Sequence, residues 1–198
     1  MKIYTKKGDG GRTHLATGAR VEKNHPRVDL YGNVDELNSY IGVAMAQMQS
    51  PAFAPLRTEL EEQQKLLFEM GSELAGFRSK DPDGEARDTL FQMNDIEILE
   101  SAMDRMSEDL EPMRSFILPG GSPASAALQV CRTIARRLER MMVDVRTGPL
   151  ANQDENGVIV HDLALGYTNR LSDYLFVAAR YSNKLDGVED IKWTSRSK

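Results

Sequence analysis

Residues 122–145, SPASAALQVCRTIARRLERMMVDV, set the fold class. Ser122 is a favourable N-cap, and Pro123 suits the first helical position, where its missing N–H costs nothing. Val130, Ile134, Leu138, Met141 and Val145 then recur at three- and four-residue steps. At 100° per residue they share one apolar face of a helix that runs to about Val145.

The same periodicity extends in both directions. Asn33 and Glu36 have capping-box spacing and predict the opening of a helix with Leu37, Ile41, Ala44, Met45 and Met48 on one face. Pro51 interrupts it. A second helix is expected from about Ala54 to Ala75, burying Leu56, Leu60, Leu67, Met70 and Leu74, with Gly71 its one weak position. Asp81-Pro82-Asp83-Gly84 marks a turn inside a surface loop from Arg78 to Thr89. Asn94 begins a third helix carrying Ile96, Leu99, Met103, Met106 and Leu110. Phe116-Ile117-Leu118-Pro119-Gly120-Gly121 is an apolar segment ended by a break. After the fourth helix comes a polar, Gly-containing loop, then a last helix over Asp162–Asn183.

The expected fold is therefore all-α, a five-helix up-and-down bundle over residues 28–183. A glycine-rich, basic N-terminal arm, residues 1–27, precedes it, with only a short β-like start at Ile3-Tyr4-Thr5. Residues 184–198 form a polar tail, apolar only at Val188, Ile191 and Trp193, and Trp193 is expected to order it in part. The 198 residues fit one domain.

Composition narrows the function. Hydrophobic residues make 40% and charged residues 28% of the chain, as in a soluble globular protein. The net charge of −5 argues against a general nucleic-acid binder, so any polyanion must meet a local basic patch. Cys131 is the only cysteine, which precludes an intrachain disulfide and favours a cytoplasmic setting. The N-terminus lacks the apolar core of a signal peptide, and no apolar run approaches the roughly 18 residues of a membrane span.

Two basic patches stand out. In Thr5-Lys6-Lys7-Gly8-Asp9-Gly10-Gly11-Arg12-Thr13 the glycines let backbone N–H groups point at an anion, while Lys6, Lys7 and Arg12 add charge. It is not a Walker A loop, because the Gly-Lys-Ser/Thr ending is missing. A tight turn in a surface arm explains the same glycines. On the fourth helix Arg132, Arg136 and Glu139 form a narrow stripe opposite the apolar face, flanked by Arg137 and Arg140. Solvated Arg–Glu pairs are one reading. Four arginines against one glutamate in nine residues of an acidic chain suit a triphosphate equally well.

Other features carry less. Asn169 and Asp173, four apart on the last helix, suggest a buried polar pair or a ligand contact. His14, His25 and His161 are scattered without metal-ligand spacing, and Glu22-x-x-His25 occurs once where a di-iron bundle needs such a motif twice. No metal site is expected from side chains. Cys131 reads as a buried thiol, and most methionines as core filler.

Five blocks in order resemble one family, the PduO-type ATP:cob(I)alamin adenosyltransferases. They are Tyr4-Thr5-Lys6-x-Gly8-Asp9-x-Gly11-x-Thr13, Tyr31-Gly32-x-Val34-Asp35-Glu36-Leu37-Asn38 and Phe116-Ile117-Leu118-Pro119-Gly120-Gly121-Ser122. The others are Cys131-Arg132…Arg136-Arg137-x-Glu139-Arg140 and Asn169-Arg170-Leu171-Ser172-Asp173-Tyr174-Leu175. The resemblance covers Lys2 to Asn183.

It implies a five-helix bundle assembled as a homotrimer with sites between subunits. It also implies transfer of the 5′-deoxyadenosyl group from ATP to the cobalt of cob(I)alamin, giving adenosylcobalamin and triphosphate. ATP, Mg²⁺ and cobalamin would be its small molecules, with a reductase and a B12-dependent acceptor enzyme as further partners. Thr5, Lys6, Lys7, Gly8, Thr13, His14 and Lys23 would wrap the triphosphate, with Arg136, Arg137, Glu139, Arg140 and Asn169 coming from the adjacent subunit. Asp35 would pair with Arg132 across the interface; these two and Arg136 form the implied catalytic set. Phe116 would lie under the corrin ring and displace the lower cobalt ligand. The alternative on the same bundle is a non-catalytic ATP or cobalamin sensor or carrier. Lys7 and Gly10 depart from the family's usual Thr and Lys, Thr168 replaces a usual Leu, and the connection from Arg146 to His161 is longer than typical.

Overall fold

The computed structural model describes residues 2–80, 83–85, 87–149 and 159–196. Its elements run β1 (Arg12–His14), β2 (Arg20–Glu22), α1 (Pro26–Ala46), α2 (Ala54–Leu74), α3 (Met93–Glu108), α4 (Pro123–Thr147) and α5 (Asp162–Leu185), with a 3₁₀ turn at Pro51–Phe53. The five helices form the bundle that the periodicities predict. The turn Asp81–Gly84 and the long connection after Arg146 fall partly outside the described residues.

α4 packs against α1 and α5, α1 against α2, and α3 against α5. Polar contacts close the ring on the remaining side. Arg105 of α3 pairs with Glu59 of α2, and the buried Tyr174 of α5 donates to the same carboxylate at 3.2 Å. Leu37, Ile41, Leu60, Leu67, Leu138, Met142, Leu171 and Leu175 are fully buried along the axis. Between α1 and α2, Asn38 and Gln64 each donate to the other's backbone carbonyl, at 3.2 and 3.0 Å. That reciprocal pair fixes the register of the two helices, and Gly71 continues α2 without a break.

Four local expectations are corrected. α1 begins at Pro26, not near Asn33: His25 Nδ1 accepts from the Arg27 N–H at 3.2 Å as the N-cap, and Pro26 takes the first helical position. Asn33 and Glu36 sit mid-helix and are used against α4. No strand forms at Ile3–Thr5; the arm's sheet is instead an antiparallel hairpin pairing Arg12 with Glu22 and His14 with Arg20. Val130 is 41% exposed, because the buried face of α4 centres on Leu128, Cys131, Ala135, Leu138 and Met142. The tail is ordered by backbone pairing rather than by Trp193 alone. Leu118 N–H donates to Ile191 C=O at 2.7 Å and Trp193 N–H to Phe116 C=O at 2.8 Å.

Candidate active site

The hairpin is the platform of the arm. Leu15 is buried, and Ala16 N–H donates to Ala75 C=O at 2.8 Å, which fastens the hairpin to the end of α2. Gly76 makes that approach possible. It has φ +99°, and a Cβ there would lie 2.5 Å from Thr17 Cγ2. Ahead of the hairpin, Gly11 N–H bonds to Gly8 C=O at 3.2 Å, and Lys23 N–H to Gly11 C=O at 2.8 Å. A Cβ on Gly8 would stand 3.3 Å from Lys23 Nζ, so this ammonium lies directly over the glycine turn.

Among the described residues Lys6 is the one non-glycine residue with positive φ, at 60°, and Thr5 Oγ1 accepts from Lys7 N–H at 3.4 Å. A strained backbone held beside a row of cations is a common mark of a binding loop. Arg12 is spent inside the hairpin, pairing with Glu22 at 3.0 Å. Thr13 sits in the ladder opposite Val21, while His14 is exposed. Among the described residues no carboxylate pairs with Lys6, Lys7 or Lys23.

On α4 the arginines divide into two kinds. Arg137 turns inward, donating from Nε to Asn33 Oδ1 at 2.8 Å and pairing with Glu36. It therefore braces α4 on α1. Arg132, Arg136 and Arg140 have no carboxylate within ion-pair distance among the described residues. Arg132 is oriented by Gln129, whose Oε1 accepts from its Nε at 2.7 Å. Its pKa is lowered, first by burial and then by the charge of Arg136. Arg140 reaches only the Arg136 backbone carbonyl, at 2.9 Å. Beside them Asn169 of α5 donates to Glu139 Oε1 at 2.8 Å. Asn169 and Asp173 are exposed rather than a buried pair, and Asp173 serves Arg170 at 3.0 Å.

Asp35 is exposed on α1 and, with Tyr31, Asn38, Phe68 and Ser72, lines a groove of about 230 Å³. It does not meet Arg132 within the chain. Phe116 is 74% exposed on the α3–α4 connector, edge-on to Trp193 with centroids 6.3 Å apart. Cys131 is fully buried, and burial pushes its thiol up to about 12.

The predicted site residues thus fall into four places: the arm, the α1–α2 groove that holds Asp35, the outer face of α4 and α5, and the Phe116 corner. Glu139 and Asn169 meet, and Lys23 meets the glycine turn. No described hydrogen bond or ion pair joins the arm to the arginines. The reading of the residues missed Gln129 and the Asn33–Glu36 brace. Gln129 was within reach, lying three positions before Arg132 on the same helix. Among the described residues no group of three or more His, Cys, Asp or Glu is placed to hold a metal ion.

The fold and its charges define an all-α helical bundle with a glycine-rich basic arm and an unneutralised guanidinium face on α4. The family model for cobalamin adenosyltransferase matches residues 3–182. A corrinoid adenosyltransferase of Bacillus subtilis is 39% identical over 194 residues, 98% of this chain and 92% of the relative. The corrinoid adenosyltransferase PduO of Citrobacter freundii is 41% identical over 91% of this chain, which spans only 49% of that longer relative. A variant PduO-type ATP:corrinoid adenosyltransferase from Lactobacillus reuteri, complexed with cobalamin and ATP, superposes with a TM-score of 0.82. It is 37% identical, over 98% of this chain and 97% of its own. The chain belongs to the cobalamin adenosyltransferase family.

Proposed function

We propose that the chain transfers the 5′-deoxyadenosyl group of ATP to the cobalt of cob(I)alamin, giving adenosylcobalamin and inorganic triphosphate. The observation that carries this reading is the unneutralised charge of Lys6, Lys7 and Lys23 in the arm and of Arg132, Arg136 and Arg140 on α4. Cobalt(I) is itself a strong nucleophile, so no side chain has to supply one. Its electron pair forms the bond to C5′, the C5′–O bond breaks, and that electron pair leaves on the triphosphate. What the protein must do is orient the two substrates and stabilise the departing charge.

In this reading the arm binds the triphosphate through the backbone N–H groups around Gly8 and through Thr5, Lys6, Lys7, Thr13, His14 and Lys23. Arg136, Arg140, Glu139 and Asn169 complete the pocket, with Arg137 fixed at its edge. Mg²⁺ would travel on the phosphate oxygens and add charge neutralisation. Phe116, the exposed ring on the connector, lies against the corrin and displaces the lower cobalt ligand, which eases reduction of cobalt(II).

That no described hydrogen bond or ion pair joins the arm to the arginines favours a site shared between copies. We propose a homotrimer in which Asp35 of one copy pairs with Arg132 of the next. Exposed apolar residues favour it: Tyr40, Val43 and Phe68 on α1 and α2, Val130 and Val143 on α4. A cytoplasmic setting, with a reductase and a B12-dependent acceptor as partners, completes the proposal. An anaerobic assay with cob(I)alamin, ATP and Mg²⁺ tests it. Loss of the cobalt(I) band with appearance of adenosylcobalamin and triphosphate is expected; ATP binding without turnover would leave only a sensor or carrier.

A further inference from the structure

Asn183 is the polar centre of the corner that carries Phe116. It lies near the end of α5 and is 3% exposed, yet its amide is used in three directions. Oδ1 accepts from Ser122 N–H at 2.9 Å, and Nδ2 donates to Gly120 C=O at 3.3 Å and to Asp190 Oδ1 at 3.1 Å. Its own carbonyl accepts from Val188 N–H at 2.8 Å. Asp190 also accepts from Arg180 Nε at 2.7 Å, and this pair is largely buried, 18% and 12% exposed. Arg180 continues to Glu111 C=O at 2.7 Å. Gly121 is pressed onto the amide, with φ +107° and room for no side chain: a Cβ would lie 2.2 Å from Asn183 Oδ1.

Three chain segments are thereby tied at one point: the end of α5, the connector leading into α4, and the tail. The connector and the tail are the two segments that present Phe116 and Trp193. Beyond Asn183 they pair with each other, through Trp193 N–H to Phe116 C=O and through the bridge of Ile117 with Lys192. A ring as exposed as Phe116 has little core around it to fix its place, so its position is set by its backbone. That backbone is held on one side by Ser122 and Gly120, and on the other by the tail. The first hold runs through Asn183, and the second is steadied by the bond of Asn183 to Asp190 of the tail.

We propose that Asn183, with Asp190 and Arg180, is a positioning cluster for the transfer reaction, holding the backbone around Phe116 so that the ring meets the corrin in one fixed place. The inference rests on the role given to Phe116 above. A cluster that merely stabilised the fold would slow every route alike. A positioning cluster slows the route that needs Phe116, the one that starts from cobalt(II).

Asp190→Ala is the test variant, because it removes the tail's side-chain tie to Asn183 and Arg180 while leaving Asn183 bonded to Ser122 and Gly120. Trp193 is the only tryptophan, so its fluorescence anisotropy reports the tail directly. In the full-length protein Asp190→Ala is expected to lower that anisotropy. Turnover from cob(II)alamin with a fixed reductant should fall roughly tenfold, the factor that goes with one charge-assisted hydrogen bond. Turnover from chemically reduced cob(I)alamin should change by about twofold at most, and the KM for ATP should hold. Asp190→Asn, which keeps one acceptor oxygen but turns an NH₂ donor on the other partner, should recover only part of the loss. Unchanged anisotropy, or an equal fall on both routes, overturns the proposal. Phe116→Ala is run beside it: if that variant slows both routes equally, the role of Phe116 fails. If it discriminates while Asp190→Ala does not, only the positioning role fails.

Discussion

Arg136 and Arg137 are neighbours of the same type on one helix, and the structure gives them opposite work. Arg137 has two acceptors on α1, Asn33 at 2.8 Å and Glu36, whereas Arg136 has no carboxylate partner among the described residues. The Arg137 and Glu36 side chains are 43% and 40% exposed, so their ion pair is screened and contributes no more than about 1 kcal/mol. The hydrogen bond to Asn33 adds a similar amount, for a total of about 1.5 kcal/mol. In a chain of this size that corresponds to a fall of about 3–6 °C in Tm for Arg137→Ala. Arg136→Ala removes no internal partner and should stay within about 0.5 kcal/mol of the parent. It removes a charged contact to the triphosphate instead, worth about 1.5–3 kcal/mol, so kcat/KM for ATP should fall roughly 10- to 150-fold. Calorimetric scans and steady-state kinetics on both variants decide the matter. Equal melting temperatures for the two variants, or a larger drop for Arg136→Ala, would refute the assignment.

Three further outcomes are expected. The Cys131 thiol is raised by burial from 9.0 to about 12 in the folded chain, so the unfolded form loses its proton first as pH rises. Stability should therefore fall between pH 9 and 12, and Cys131→Ala should flatten the denaturant midpoint against pH there, by up to about 1.4 kcal/mol per unit. Glu73 is 3% exposed and accepts from Thr89 Oγ1 at 2.9 Å and Leu90 N–H at 2.7 Å. Glu73→Ala should cost about 2–3 kcal/mol and open the chain between α2 and α3 to limited proteolysis. Asp35→Arg should dissociate the proposed trimer in sedimentation, and the double exchange with Arg132→Asp should restore it; failure of the exchange would deny that the two residues pair.

Much of the fold was legible because it rests on signals local in the chain. Ser122-Pro123 starts α4 where the capping rules place it, and the three- and four-residue steps of α2 and α3 give the buried or partly buried positions observed. The misses have physical causes. α1 is capped by His25, a residue outside the usual cap set, while the capping-box spacing of Asn33 and Glu36 serves a tertiary contact with Arg137. The three-residue strands of the hairpin are too short for alternation to register. The tail looked polar because its order comes from backbone hydrogen bonds and from the contacts of Asp190 with Asn183 and Arg180, neither of which leaves an apolar pattern.

The site was legible as charge and illegible as geometry, and one cause explains both. Helical spacing places Arg132, Arg136 and Arg140 on one exposed face, but nothing in that spacing says which guanidinium a neighbouring helix will consume. Asn33 and Glu36 consume Arg137, and Glu22 consumes Arg12. What remains unneutralised is a smaller set than the sequence displays, divided between the arm and α4. Like charges left without carboxylates are retained against their mutual repulsion, and an acidic chain had carboxylates to spare for them. In the proposed reading those cations await an anion from outside the chain, and a polyphosphate bridging two copies would neutralise both halves together.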